Sequence, residues 1–180
     1  NMTKRALIGH SAGALALEHL SDLGQVMIPM AGDGSKEPAN HTLLSTLLIG
    51  AQNDSEVPPK THQEPSYLTT QPIKRLAIGA NMGHQAFSDL CWIGEDQGGI
   101  CGIGKKYGVA AAWLFQPLAV NGCSFYDPRF FEPVKNWAFI KFATAGVLEE
   151  TLMCDERMAS QLSAIEQKFD YVLEYKEELQ

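Results

Sequence analysis

Ala6-Leu7-Ile8-Gly9-His10-Ser11-Ala12-Gly13-Ala14-Leu15 is the stretch around which the chain is organised. A short apolar run ends in Gly9-His10-Ser11-Ala12-Gly13, and an alanine- and leucine-rich segment follows directly. This is a G-x-S-x-G pattern with a strand before it and a helix after it. A strand that turns so tightly into a helix forces the serine into a strained backbone conformation. Side chains at Gly9 or Gly13 are expected to collide with neighbouring elements. Ser11 is thereby lifted above the sheet edge, and the helix aims its first N–H groups at the same place. The Ala12 N–H is expected to receive the negative oxygen of a tetrahedral intermediate.

Outward from this turn, apolar runs and loop signals alternate. Residues 5–9, 26–30, 46–51 and 75–79 read as strands, short and apolar without alternation, as in a buried parallel sheet. Residues 12–20 read as a helix. Residues 31–35 and 52–59 are loops, and 60–72 is a polar surface connection with a short helix around Tyr67. After His84 the character changes. Residues 88–134 read as a loop-rich insertion bearing Cys91, Cys101 and Cys123, with a candidate helix at 109–115. Residues 135–180 read as a helical C-terminal part. There Trp137, Ile140, Ala145, Leu148 and Leu152 share one face, and Leu162, Ile165, Phe169, Val172 and Leu179 another. Both stripes are core-facing, and the acids and lysines of residues 166–178 read as a solvated helix face. The whole is one α/β domain over residues 1–180.

The 180 residues are 45% hydrophobic and 19% charged, enough for one substantial core. A net charge of −7 without a Lys/Arg cluster argues against a nucleic-acid partner. No apolar run approaches the length of a membrane span. No signal peptide is evident, and Asn1-Met2 is compatible with removal of a leader. The four cysteines, Cys91, Cys101, Cys123 and Cys154, lack C-x-x-C spacing, so no metal site is expected. Four cysteines permit three pairings, and Cys91 and Cys101 are near enough in sequence to bridge a short loop. Such a bridge fits a secreted or periplasmic setting, whereas reduced, buried cysteines suit the cytoplasm.

A serine hydroxyl needs a base to take its proton, and the base needs a carboxylate to fix its tautomer. In an open parallel sheet these groups sit on loops at the C-terminal ends of strands. Ser11 follows the first strand, Asp54 the third and His84 the fourth, in the order Ser…Asp…His. Asp33, after the second strand, is the reserve acid. His10 neighbours the nucleophile and is expected to line the pocket, as are Phe87 and Trp92. His19, His41 and His62 carry no signal beyond their polar surroundings.

Three segments, residues 9–13, 49–58 and 79–87, together resemble the α/β-hydrolase superfamily. Within it they are most similar to the dienelactone-hydrolase-like branch, with cutinase-like polyesterases and platelet-activating-factor acetylhydrolase relatives. The likeness covers residues 4–90. It implies a mostly parallel sheet flanked by helices, with Ser11 as nucleophile, Asp54 as acid, His84 as base and Ala12 as one oxyanion donor. It implies hydrolysis of small-molecule or polymeric carboxylic esters through an acyl-enzyme, without a cofactor. Strict dienelactone hydrolases use a cysteine nucleophile, so Ser11 points to the esterase side. An acyltransferase or thioesterase with the same triad, and a non-catalytic binding subunit, are the alternatives.

In the superfamily the elbow sits mid-domain, whereas here it lies at residue 11. The chain therefore corresponds to the C-terminal half of the fold. The first strand is expected to have an unpaired apolar edge. The N-terminal strands and the second oxyanion donor are expected from a second polypeptide, or to be missing from this sequence.

Overall fold

The computed structural model describes residues 4–109, 114 and 116–180. Five strands form one sheet in the order β1-β2-β3-β4-β5: β1 (Ala6–His10), β2 (Val26–Met30), β3 (Ser45–Ala51), β4 (Lys74–Gly79) and β5 (Val172–Glu178). β1 to β4 are parallel, and β5 runs antiparallel beside β4. Every residue of β2, β3 and β4 is buried. Burial on both faces explains why these strands read as continuous apolar runs.

Successive side chains still alternate between two cores. Val26, Ile28, Met30, Leu47, Ile49 and Ala77 face helix α5 (Pro133–Met153), which contributes Phe139, Ile140, Ala143 and Val147. On the opposite face Met27 meets Leu17 of α1 (Ala12–Leu17), while Leu48, Leu76 and Ile78 meet Tyr67 of α2 (Gln63–Thr69). Each fully buried Leu or Ile contributes about 1.5–3 kcal/mol over its exposed state.

The sequence reading requires correction beyond His84. Residues 99–106 are not loop but helix α3 (Gly99–Lys106), and α4 (Gln116–Val120) follows. Most of the candidate helix at 109–115 lies outside the described residues. On α5 Ile140 is buried and Trp137, Leu148 and Leu152 pack against the same core, as expected, but Ala145 is exposed and Phe139, Ala143 and Val147 complete the buried face. Helices α6 (Arg157–Ser163) and α7 (Ile165–Lys168) then lead into β5, where a solvated helix face was expected. The alternating acids of this segment serve a strand. Buried Lys74 pairs with Glu178 at 3.1 Å, and fully buried Arg75 approaches Glu177 at 3.5 Å and Glu150 of α5 at 2.9 Å. The cations of β4 stabilise the pairing with the β5 acids that local propensity does not.

Cys91 is bonded to Cys123, not to Cys101. Cys101 lies in the first turn of α3, buried and free, and Cys154 is exposed and free. The turn after α4 returns beneath the His84 loop and brings the two Cα atoms within 5.2 Å, a distance a disulfide spans.

Candidate active site

β1 passes into α1 through Ser11, whose φ of 55° and ψ of −118° lie outside the usual regions for a non-glycine residue. The Ser11 N–H donates to Met30 O at the end of β2, and Leu15 N–H donates to Ser11 O. A Cβ on Gly9 would stand 2.4 Å from Gly13 O, so the turn closes only with glycine there. Gly13 differs from expectation: a Cβ on it would meet nothing within 4 Å. Its bare backbone serves Gly9, and its own outer side faces open space.

Asp54 lies just beyond β3, in a turn whose Asp54 N–H donates to Ala51 O. His84 lies beyond β4 and opens a short helical turn, His84–Phe87. Both residues are buried. His84 Nδ1 stands 3.0 and 2.9 Å from the two Asp54 carboxylate oxygens, and His84 Nε2 stands 2.8 Å from Ser11 Oγ. An ionised carboxylate only accepts, so Nδ1 carries the proton and Nε2 is left to accept from the serine hydroxyl. Burial pushes the Asp54 carboxyl up, but the His84 bond and the Val57 and Glu56 amides outweigh it. Its pKa lies below the ordinary carboxylate value. Those amides donate to Asp54 Oδ1 at 2.8 and 2.9 Å.

This is a Ser-His-Asp triad on a nucleophile elbow. The sheet, the elbow and the strand-end placement of all three groups are those of an α/β-hydrolase-like fold. No protein-family model and no curated protein sequence matches this chain. The reading of the site therefore stands on its geometry.

A cleft of about 330 Å³ opens beside Ser11. Ala12, Leu15, Ala31, Gly32 and Val57 line its near part, and Glu18, Asp33, Lys36 and His62 its polar part. Asp33, the reserve acid, accepts from His62 Nδ1 at 3.1 Å and takes no part in the triad. Glu18 is buried and paired with Lys36 at 2.6 Å. The sequence had offered no signal for Glu18, Lys36 or His62, because their proximity arises from α1, the β2–β3 connection and the segment before α2.

The three residues expected to line the pocket do not border this cleft. His10 Nε2 donates to the His84 carbonyl at 2.9 Å, and its ring lies 5.0 Å from that of His84 and 5.2 Å from that of Phe87. Burial, and then the nearby His84, hold His10 below the ordinary histidine value. Phe87 borders a separate depression with Met30, Trp137 and Ile140. Trp92 is 47% exposed and stacks edge-on against Trp137. Among the described residues, no group of three or more His, Cys, Asp or Glu could hold a metal ion, and no helix is long and apolar enough to cross a membrane.

Proposed function

We propose that this chain hydrolyses carboxylic esters through an acyl-enzyme formed on Ser11. One observation carries the reading: the continuous relay from Ser11 Oγ through His84 to the buried Asp54 carboxylate. His84 Nε2 takes the hydroxyl proton as Oγ adds to the ester carbonyl. The carbonyl oxygen becomes an oxyanion. Ala12 opens α1, so its N–H has no partner within the helix and is offered as one donor to that oxygen. Collapse breaks the bond to the alcohol, which leaves with the proton from His84. Water then gives a proton to His84 and attacks the acyl carbon, releasing the acid and restoring Ser11.

The leaving alcohol has to sit within reach of His84, and His84 does not border the cleft beside Ser11. We therefore assign that cleft to the acyl group. A long carbon chain would run from Leu15 and Val57 onto the polar groups of Glu18, Lys36, Asp33 and His62 and strip them of water without pairing them. The cleft suits a short acyl group. The likeness of residues 9–13, 49–58 and 79–87 supports the dienelactone-hydrolase-like branch, and the Cys91–Cys123 bond supports an oxidising, secreted or periplasmic setting.

The reading includes a further polypeptide segment against β1. Three features support it. β1 pairs on one side only with β2 among the described residues; Ile8 and Leu15 are 47% and 61% exposed; and Gly13 faces open space. Such a segment would supply the second oxyanion donor.

The test is intact mass after fluorophosphonate treatment, beside hydrolysis of p-nitrophenyl acetate, butyrate and decanoate. One adduct on Ser11, with acetate or butyrate preferred to decanoate, is the expected result. A properly assembled protein that takes no adduct would overturn the hydrolase and favour a binding subunit.

A further inference from the structure

Asn121, just past α4, joins the loops that carry the acid and the base. Its Oδ1 accepts the His84 N–H at 2.6 Å and the Ser55 N–H at 3.4 Å, while Nδ2 donates to Asn53 O at 3.2 Å. One amide thus holds the backbone of His84 on one side and both neighbours of Asp54 on the other. The loops share further bonds, among them Asn53 N–H to Met82 O, Gln52 N–H to Gly79 O and Asn81 N–H to Gln52 Oε1, but these lie ahead of both functional residues.

The rest of the segment fixes Asn121 in place. The Gln85 N–H donates to Asn121 O at 2.7 Å, and Gln85 Nε2 donates to Leu118 O at 3.0 Å. Gly83 and Gly122 meet backbone to backbone: a Cβ on Gly83 would stand 2.6 Å from Gly122 N and 2.8 Å from Asn121 Oδ1. Gly122 adopts a φ of +103°, which also requires glycine. Cys123, the next residue, is bonded to buried Cys91 on the chain that leaves the His84 turn.

We propose that Asn121 is a positioning residue that holds Asp54 and His84 in register; this rests on the triad reading above. The side-chain type matters. A carboxylate at this position keeps the two acceptor bonds, loses the donor to Asn53 O and sets a second negative charge beside Asp54. An alanine loses all three bonds and leaves the His84 N–H without its acceptor. Small displacements of a triad cost rate far more than affinity.

The experiment compares Asn121→Ala and Asn121→Asp with the wild-type protein. Readouts are kcat and KM for the preferred p-nitrophenyl ester, the fluorophosphonate labelling rate of Ser11, and the deshielded proton resonance of the His84–Asp54 bond. For Asn121→Ala the expected result is a fall in kcat of roughly ten- to a hundredfold with KM nearly unchanged. Labelling slows in parallel, the resonance broadens or disappears, and Asn121→Asp lies between. An unchanged kcat, or a change confined to KM, with Ser11 labelled in every protein, would overturn the proposal. A wild-type protein that never labels would overturn the triad reading instead. Where Asn121→Ala does not fold, Asn121→Asp decides alone: reduced kcat at unchanged KM supports the proposal, and undiminished kcat overturns it.

Discussion

His84 Nε2 lies 2.8 Å from Ser11 Oγ, although 73 residues separate them in the chain. At that distance the hydroxyl donates an ordinary hydrogen bond to its acceptor, so the pair acts as one unit. Ser11→Ala and His84→Ala are each expected to lower kcat by about 10⁴ or more, and the double variant by little beyond that. Ser11→Ala loses the fluorophosphonate adduct entirely, and His84→Ala labels far more slowly. Intact mass and initial rates read both effects.

Asp54→Asn keeps the shape of the site but cannot hold a proton on His84 Nδ1 in the same way. A fall in kcat of about 10⁴ is expected. Stability carries a second signature. The folded Asp54 pKa lies below its ordinary value of 3.8, so its contribution is present above that value and is lost as pH falls through the folded one. Acid unfolding followed by circular dichroism is expected to lose this component in Asp54→Asn.

His10 gives the corresponding effect nearer neutrality. Burial, followed by the His84 ring, lowers its pKa from the ordinary 6.5, and the neutral ring donates Nε2–H to the His84 carbonyl. The unfolded chain therefore binds a proton more readily than the folded one. That contribution is present above pH 6.5 and is lost as pH falls through the depressed value. The melting temperature of wild type is expected to drop more steeply than that of His10→Gln as pH falls from 6.5 toward the depressed value.

The Cys91–Cys123 bond closes a segment of 32 residues. Constraining an unfolded loop of that length stabilises by about 3–4 kcal/mol. The paired Cys91→Ser, Cys123→Ser variant is expected to lose stability on that scale in urea unfolding. Free Cys101, buried on α3, is not expected to replace either partner.

The parallel strands were legible because burial on both faces writes itself as unbroken apolar runs, as in Val26–Met30 and Leu47–Ile49. β5 was not. Glu174, Lys176, Glu177 and Glu178 look like a solvated face until Lys74 and Arg75 of β4 stand opposite Glu178 and Glu177. The disulfide misled for a related reason: closeness along the chain favoured Cys101, while folding through α3 and α4 placed Cys123 beside Cys91. Asn121 left no mark at all, since its role depends on two loops that meet only in the folded protein.

The amino-acid sequence by itself determined the chemical groups and the strand ends that carry them. Gly9 and Ser11 specify a turn through local sterics, and Asp54 and His84 follow short apolar runs that read as buried strands. Tertiary structure decided which groups touch. It brought His84 to Ser11 and Asp54, gave Asp33 to His62 rather than to the triad, and set Asn121 between the two loops. Hydrogen bonds act over about 3 Å, and only the packed sheet brings residues remote in sequence to that distance.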